Sequence, residues 1–267
     1  MSFSAEWLAL REPYDTRARN PAVMEAVAAS VAHLPSVTIV DLACGTGSTL
    51  RALAPRITTR QSWRLVDNDL SLLARAGAGS PPRASVATIP IDIGRDLEAA
   101  LDGPVDLVTT SALLDLVSGE WLERLVVEAA ARRIPVYAAL TYDGRVELQP
   151  AEPLDEKIVS ALNAHQRRDK GFGPALGPAA AGAAIEQFER VGYAVTHGAA
   201  DWEFAPADRE IQDETLTGWA TAAREQGGMP VADIVGWLSR RRELVRAGAS
   251  SIRVGHVDVF ARPTGTR

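Results

Sequence analysis

Asp41, Gly45 and Gly47 lie close together in the chain, at the end of an aliphatic run that begins at Val37. The run is typical of a buried parallel strand, and the two glycines permit a tight turn that exposes backbone N–H groups. A helical pattern follows the turn. A strand, a glycine turn and a helix in this order can hold the pyrophosphate of a dinucleotide or the amino-acid part of S-adenosylmethionine (SAM).

Two positions separate these ligand classes. A dinucleotide fingerprint has a third small residue three positions after Gly47, but this chain has Leu50 there. A carboxylate at Asp41 is poorly placed beside a phosphate, yet it suits a ligand that carries an ammonium and a sulfonium group. The turn therefore favours SAM. The expected cofactor contacts in this stretch are Asp41, Ala43, Gly45 and Gly47.

The next strand pattern, WRLV at 63–66, ends in a second group of polar residues. Asp67 and Asn68 follow it directly, and Asp67 lies twenty positions after Gly47. An acidic side chain at this separation can hold ribose hydroxyls, so we expect Asp67 and Asn68 to bind the nucleoside. Because both ligand classes contain ribose, Asp67 predicts a nucleoside but does not distinguish SAM from a dinucleotide.

Two later strand ends complete the expected cofactor site. The third unit, residues 84–93, ends in IPIDI, where Asp92 is placed to accept a hydrogen bond from an adenine amino group, with Ile93 beside it. Ser111 stands at the end of the fourth strand pattern, and we expect it to contact the cofactor or the backbone.

Asp115 is the strongest candidate on the acceptor side. It follows the fourth strand in an otherwise apolar segment, SALLDLV, and ligands of open α/β sheets bind beyond the carboxyl ends of the strands. A carboxylate in apolar surroundings must be paired or have a shifted pKa, which suits a base or an anchor for a cationic substrate. Capping of a short turn by Asp115 is an equal alternative.

His165 is the second catalytic candidate. It occupies the next position of an apolar helical stripe formed by Ile158, Ala161 and Leu162, so its side chain is expected to point inward. It is interpreted either as a base or substrate partner, or as a buried structural histidine.

Strand patterns alternate with helical patterns along the whole chain. This alternation predicts an α/β fold: a doubly wound, mostly parallel, seven-stranded Rossmann-like sheet with helices on both faces and a helical cap. The strands are expected at 37–42, 63–66, 84–93, 105–110, 134–141, 193–196 and 251–261. Helical patterns at 207–226 and 231–247 separate the last two strands.

The stretches DLACGTG, LVDND, PIDI and VDLVTTSALLDLV occur in this order between residues 37 and 140. Together they resemble the successive motifs of the class I SAM-dependent methyltransferases. Four elements in the right order are specific, whereas the glycine turn alone would be a weak signal. The chain is similar to a bacterial branch of this superfamily whose N-termini carry a segment like WLALREPYDTRARN. The resemblance implies an enzyme that binds SAM and releases S-adenosylhomocysteine (SAH).

The resemblance also implies one methyltransferase domain over residues 1–267. The expected parts are an N-terminal helical segment at 1–33, a cofactor-binding core at 34–142, and substrate-side helices or a cap at 143–190 and 205–248. The helices at 205–248 depart from the family, in which the last two strands often form a close antiparallel pair. They are interpreted as a cap over the substrate or as the interface of a homodimer.

In similar methyltransferases an N-terminal helix closes over the cofactor, and a basic or aromatic side chain there can hold the methionine carboxylate. Arg19 is the expected cofactor contact, and Arg11 with Tyr14 are expected on the substrate side. Each could equally belong to a surface helix that covers the sheet. Asn163 and Trp202 are further expected substrate contacts.

Methyl transfer from a sulfonium is an in-line displacement, which depends mainly on positioning. We therefore expect transfer to a small-molecule N, O or S acceptor, with a base needed only for a hydroxyl or a protonated amine. The alternatives are a protein or RNA target, a nucleotide-dependent oxidoreductase, a transferase of aminopropyl groups from decarboxylated SAM, and a non-catalytic cofactor-binding protein of the same fold.

Nucleic acid is a disfavoured partner. The net charge is −6 and the pI is near 5.3, which does not fit a polyanionic ligand. Enzymes that methylate nucleic-acid amino groups usually have Asn or Asp, two prolines and an aromatic residue after the fourth strand. Here that position holds TTSA, residues 109–112.

The amino-acid composition limits the remaining structural and functional classes. The chain has 267 residues, of which 46% are hydrophobic, and these are sufficient for one large α/β domain. Its one cysteine, Cys44, fits a reducing compartment, and the four histidines lack metal-ligand spacing. No apolar run is long enough to span a membrane and no basic leader begins the chain. We expect a soluble cytoplasmic protein without a metal.

Overall fold

The structure is a computed structural model that describes residues 4–79 and 82–265. Residues 1–3 of the expected N-terminal segment, residues 80–81, and residues 266–267 lie outside the described part. The strands are β1 (Ser36–Leu42), β2 (Arg60–Asp67), β3 (Ala84–Pro90), β4 (Leu107–Ser111), β5 (Val136–Gln149), β6 (Tyr193–Ala199), β7 (Trp202–Phe204) and β8 (Ser251–Pro263). The helices are α1 (Ala5–Ala18), α2 (Pro21–Val31), α3 (Ser48–Leu53), α4 (Leu70–Ala76), α5 (Leu97–Ala100), α6 (Gly119–Arg132), α7 (Asp155–His165), α8 (Ala180–Arg190), α9 (Arg209–Gln226) and α10 (Val231–Arg246).

The strands form one sheet in the order β3-β2-β1-β4-β5-β8-β6, and β7 pairs with β8 beside β6. Strands β1 to β5 are parallel, whereas β8 runs antiparallel to β5, β6 and β7. Because the strand order reverses between β1 and β4, a crevice opens at the carboxyl ends of these two strands. The Rossmann-like α/β prediction is confirmed, and the sheet gains an eighth strand of three residues.

The central strand β1 is buried on both of its faces. Val37 and Ile39 pack against α2, α3 and α4, whereas Val40 and Leu42 pack with α5, α6 and α8 on the opposite face. Alternate side chains of a strand point to opposite faces, so a strand covered by helices on both sides needs apolar residues at nearly every position. This explains why β1 is a continuous aliphatic run.

A third apolar core lies beside the parallel part of the sheet. Strands β5 and β8 have 14 and 13 residues, and their outer parts, together with β7, carry a layer made of α1, α7, α9 and α10. Buried polar groups connect this layer, because Asp155 of α7 accepts hydrogen bonds from Trp237 Nε1 (2.8 Å) and Arg241 Nε (3.0 Å) of α10. The helices expected between the last two strands therefore exist and belong to this layer.

Candidate functional site

A cavity of about 760 Å³ occupies the crevice at the carboxyl ends of β1, β2 and β4, and is called here the switch-point cavity. Its walls come from the glycine turn, the residues that follow β2 and β3, the end of β4, helix α1 and the loop after α7. The expected cofactor contacts that line it are Ala43, Gly45, Asp67, Asn68, Asp92, Ile93 and Ser111. Its size is within the range of small-molecule sites.

The glycine turn uses its own N–H groups internally. The N–H of Gly45 donates to Asp67 Oδ2 at 2.9 Å, and that of Gly47 donates to the carbonyl oxygen of Cys44 at 2.9 Å. A Cβ atom on Gly47 would lie 2.2 Å from the carbonyl oxygen of Ala76, so this glycine lets the turn pack closely against α4. Gly47 supports the turn from behind and contributes no lining atom to the cavity.

Ala43 and Ala112, which follow β1 and β4, both have a left-handed backbone with φ of 50°. Non-glycine residues rarely adopt this conformation, and it concentrates at functional sites. Here the two residues turn the chain away from the ends of adjacent strands. Both line the switch-point cavity, so the strained backbone borders its opening.

Asp41 lies behind the turn and is 1% exposed. Its Oδ1 accepts a hydrogen bond from Thr109 Oγ1 at 2.7 Å, whereas Oδ2 has no partner. Burial raises the pKa of this carboxyl to about 7, although the Arg19 guanidinium acts in the opposite direction. Asp41 contributes no lining atom to the cavity, so the turn separates it from the space expected to hold the ammonium group.

Arg19 is also buried behind the wall. Its guanidinium donates to Thr49 Oγ1 (3.2 Å) and Ser111 Oγ (3.4 Å), which line the cavity, and to the hydroxyl of Tyr137 (3.3 Å). Its Nε has no partner. Asp41 and Arg19 thus place two buried, incompletely satisfied groups of opposite charge at the same end of the cavity.

We expect Asp41→Asn to stabilise the cofactor-free protein at alkaline pH. The carboxyl pKa is 3.8 in an unperturbed chain and about 7 in the folded protein. Between these values the folded chain retains a proton that the unfolded chain has released, so folding stability falls as pH rises through this window. The variant lacks this titration. Thermal unfolding at pH 5 and pH 8 should show a smaller loss of Tm for the variant, and equal losses would contradict the expected effect.

A second cavity of about 510 Å³ lies between α1, α7, α9 and the outer parts of β5 and β8. Its walls contain the rings of Trp7, Tyr142, Trp202, Trp219 and His256, and it is called here the aromatic cavity. The Trp202 and His256 rings are 4.8 Å apart at their centroids. Burial lowers the pKa of His256 to about 4, so at neutral pH its ring is uncharged and Nδ1–H donates to the carbonyl oxygen of Val254 at 3.0 Å.

Four residues line both cavities, namely Arg11, Ala112, Leu116 and Lys170, and the boundary that they form is called here the passage. The Nε of Arg11 donates to Asp15 Oδ2 at 2.9 Å, and its guanidinium carbon lies 5.3 Å from the centre of the Trp202 ring. Arg11 is therefore held in place by an ion pair and a cation–π contact. The two ligand-sized spaces therefore adjoin at these four residues.

Asp115 faces the aromatic cavity and is 5% exposed. Burial raises its pKa to about 6, while the backbone N–H groups of Asp115 and Tyr142 and the charges of Arg11 and Lys170 act in the opposite direction. Its Oδ1 is buried without a partner. The backbone N–H groups fit the interpretation of Asp115 as a cap, and its catalytic or anchoring role stays a prediction, with one carboxylate oxygen left without a partner.

His165 also lines the aromatic cavity, but both of its ring nitrogens are engaged. Nε2 lies 2.9 Å from Glu225 Oε2, and Nδ1 lies 3.2 Å from the Nζ of Lys170. Lys170 is 8% exposed and burial lowers its pKa. The sequence interpretation omitted Lys170, although one signal was present: only two of the 28 Lys and Arg residues are lysines, Lys157 and Lys170.

The loop after α7 contributes a second residue that the sequence interpretation omitted. Phe172 lines the switch-point cavity, and its ring packs edge-on against Trp121 with centroids 5.7 Å apart. Gly171 lines the same wall. The glycine-rich composition of this loop predicts a break in the helix and does not indicate that it covers the site.

Three expected substrate contacts differ in their placement. Trp202 lines the aromatic cavity and its Nε1 donates to Asp15 at 2.9 Å. Tyr14 lies outside both cavities, because its hydroxyl donates to Asp208 Oδ1 at 2.9 Å. Asn163 lies behind the wall, where its Oδ1 accepts from the Tyr142 hydroxyl at 2.7 Å. Tyr14 and Asn163 therefore support the site without lining it.

The described ranges also bear on membrane-spanning and metal-binding classes of protein. No helix within residues 4–79 and 82–265 has the length and apolar composition needed to cross a membrane. In the same part of the chain, no group of three or more His, Cys, Asp and Glu side chains is arranged to hold a metal ion.

No protein-family model and no curated protein matches the chain. Several solved structures are similar to it. A cyclopropane-fatty-acyl-phospholipid synthase-like protein from Lactobacillus casei ATCC 334 is 15% identical, with a TM-score of 0.51 over 94% of this chain and 98% of that one. A SAM-dependent methyltransferase from Thiobacillus denitrificans, in complex with SAH, is 14% identical, with a TM-score of 0.45 over 98% and 100%. At these identities the likeness concerns the fold. The protein has the Rossmann-like α/β fold that its sequence predicts.

Proposed function

We propose that the protein is a SAM-dependent methyltransferase that acts on a small-molecule N, O or S acceptor. One observation carries the proposal: the switch-point cavity, which has the cofactor-type residues, adjoins a second cavity with aromatic walls and shares four lining residues with it. A group-transfer enzyme needs two adjoining spaces, one for the donor and one for the acceptor. A protein that only bound the cofactor would not require the second space.

The residues of the switch-point cavity fit SAM in chemical type. Asp67 is the proposed ligand of the ribose hydroxyls, and Asp92 with Ile93 is proposed to bind adenine. At the other end, Asp41 Oδ2 and Arg19 Nε are buried polar atoms without partners. A ligand with an ammonium and a carboxylate group complements this pair of charges through the side chains that separate them from the cavity.

The same residues argue against a dinucleotide. A pyrophosphate is bound by free N–H groups of the glycine turn, but those of Gly45 and Gly47 already donate to protein oxygens. Carboxylates of Asp67, Asp69 and Asp92 also line the cavity, which gives phosphate an unfavourable field. The oxidoreductase alternative is therefore the weaker one.

The mechanism that we propose depends mainly on positioning. SAM supplies a methyl group that is electrophilic because it is bonded to a sulfonium. Ala112 and Leu116 give the passage an apolar part beside Arg11 and Lys170, while Asp115 accepts a hydrogen bond from the acceptor on the far side. Exclusion of water and alignment of the reacting atoms then lower the barrier to in-line displacement.

Helix α9 supports the proposal of a small acceptor. Its residues from Glu214 to Glu225 form one wall of the aromatic cavity, and α10 packs behind it. We therefore propose that the helices at 205–248 act as a cap within a single domain that spans residues 1–267. A protein or RNA acceptor would have to displace this cap. With its single cysteine, the enzyme is proposed to work in the cytoplasm.

Calorimetry tests the cofactor part of the proposal. The protein is titrated with SAH and, separately, with oxidised and reduced NAD and NADP. We expect saturable binding of SAH and no binding of the dinucleotides. Binding of a dinucleotide without SAH would overturn the proposal in favour of an oxidoreductase.

Labelled transfer tests the catalytic part. The protein is incubated with a metabolite extract and SAM that carries a ¹³C-methyl group, and products are identified by mass spectrometry. A product heavier by one labelled methyl group is the expected result. Transfer of an aminopropyl group from decarboxylated SAM would support the related transferase. SAH binding without any transfer, with extracts prepared from several growth conditions, would support a non-catalytic role.

A further inference from the structure

Lys170, His165 and Glu225 form a continuous chain of hydrogen-bonding groups that leads from the passage to solvent. Lys170 lines both cavities, its Nζ lies 3.2 Å from His165 Nδ1, and His165 Nε2 lies 2.9 Å from Glu225 Oε2. Lys170 is buried, whereas the Glu225 side chain is 52% exposed. The inner end of this series of groups therefore lies between the two cavities, where methyl transfer is proposed, and its outer end reaches water.

The direction of the hydrogen bonds along this series of groups is set by Lys170 at one end and Glu225 at the other. An amine N–H of Lys170 donates to Nδ1, so the neutral ring of His165 carries its proton on Nε2 and donates it to the Glu225 carboxylate. Burial lowers the pKa of His165, which favours this neutral ring. Every donor thus points outward, which is the arrangement needed to move a proton from the passage to the solvent.

We propose that Lys170 is the base that removes a proton from a hydroxyl-bearing aromatic acceptor, and that His165 and Glu225 conduct this proton to solvent. The inference rests on the proposed methyltransferase function and adds the substrate class. An aromatic ring fits because four aromatic side chains and the neutral His256 ring form the cavity walls. A hydroxyl fits because a thioether or a neutral amine would need no base.

The step is balanced as follows. An oxygen electron pair of the acceptor forms the new O–CH₃ bond, and the electrons of the breaking S–CH₃ bond remain on sulfur. The hydroxyl proton moves to the lone pair of the neutral Lys170 amine. Lys170 passes a proton to His165 Nδ1, His165 passes its Nε2 proton to Glu225, and Glu225 releases it to water. No other reactant is required.

Lysine is the appropriate residue for this role. Arginine stays protonated in proteins, whereas a buried lysine can lose its proton. Burial is the main cause of the lowered pKa of Lys170, and Arg168 adds to it, while Glu225 and Asp115 oppose it. The charged or titratable groups around Lys170 come from α1, α7, α9 and two loops; they are Arg11, His165, Arg168, Glu225 and Asp115.

Trace acetylation tests the proposal without any knowledge of the acceptor. The protein is treated with a small amount of acetic anhydride between pH 6 and pH 11, and acetylation of each lysine is measured by peptide mass spectrometry. The exposed Lys157 serves as the reference for the amount of reagent. We expect Lys170 to reach half-maximal labelling below pH 10.5, the ordinary lysine value. A midpoint at or above pH 10.5 would overturn the base assignment.

Two variants test the relay. Glu225→Gln removes a charge that stabilises the protonated amine, so the Lys170 midpoint should fall further; His165→Asn should also move it, because the neighbour of Nζ is lost. A midpoint unchanged in both variants would show that the three groups are not coupled.

Lys170→Arg should lower the rate of methyl transfer by about 100-fold or more, as expected for loss of a base. Lys157→Arg, the matched control, should have wild-type rates.

The product of labelled transfer tests the substrate class. An O-methylated aromatic product is expected, and a product methylated on nitrogen or sulfur would overturn the class. Failure of this inference is distinguishable from failure of the proposed function. If SAH does not bind, the function fails; if SAH binds and methyl transfer proceeds at the wild-type rate in Lys170→Arg, only the assignment of Lys170 fails.

Discussion

Replacing Asp67 with alanine should weaken SAH binding by about 100-fold, which corresponds to about 2.7 kcal/mol. Two losses combine in this variant. The carboxylate is the proposed acceptor of the ribose hydroxyls, and hydrogen bonds to charged groups contribute about 1.5–3 kcal/mol each. Its Oδ2 also accepts from the N–H of Gly45 at 2.9 Å and so holds the glycine turn against the end of β2. Calorimetric titration with SAH measures the effect.

Asp102→Ala is the matched control for this prediction. Asp102 is an exposed aspartate that precedes β4, so it lies at the opposite edge of the sheet from the switch-point cavity. The control should bind SAH as the wild type does. If Asp67→Ala also kept wild-type affinity while remaining folded by circular dichroism, the ribose would have to bind elsewhere. The assignment of the switch-point cavity to SAM would then be wrong.

The convergence of residues at the switch-point cavity could be predicted because it follows from local sequence order. Each βα unit places the residue after its strand at the same edge of the sheet, so Gly45, Asp67 and Asp92 converge without any knowledge of side-chain packing. Asp41 and Arg19 were harder to place. Sequence spacing gives their position along the chain, but the wall between them and the cavity depends on how Thr49 and Ser111 pack.

The aromatic cavity could be predicted only in part, because its walls come from segments that are far apart in sequence. Trp7, Tyr142, Trp219 and His256 meet because α1, α9 and the extended β5 and β8 pack together, and apolar periodicity alone does not specify which helix faces which strand. Lys170 lies in a glycine-rich loop without periodicity. The available signal for a role of Lys170 was its residue type, because almost all other cationic residues of the sequence are arginines.

The length of the fifth strand is another feature that the sequence pattern predicts only in part. The fifth strand was expected at 134–141, but β5 continues to Gln149 through DGRVELQ, a polar sequence that lacks the aliphatic run of a buried parallel strand. This outer part is instead an antiparallel partner of β8, and the pairing has a register shift between Ala138 and Thr141. Tyr142 of this part lines the aromatic cavity, so the cavity depends on a pairing between strands that are far apart in sequence.

The pH dependence of methyl transfer should reveal Asp115. Burial raises the pKa of its carboxyl from 3.8 to about 6, so the group is ionised above pH 6 and protonated below it. The ionised form is the proposed hydrogen-bond acceptor for the substrate. Besides the decrease that protonation of Lys170 causes, the wild-type kcat/KM should therefore show a further decrease as pH falls through 6, and this further decrease should be absent from the Asp115→Asn variant.

At pH 7.5 the same Asp115→Asn variant should lose about 10- to 100-fold in kcat/KM for the acceptor, because a hydrogen bond to a charged group contributes about 1.5–3 kcal/mol. SAH affinity should stay at the wild-type value, since Asp115 lines the aromatic cavity and not the switch-point cavity. The substitution keeps the size of the side chain and one oxygen for the backbone N–H groups, so the fold should survive. Full activity in this variant would make Asp115 a structural cap, and a parallel loss of SAH binding would show that the two cavities do not separate donor from acceptor.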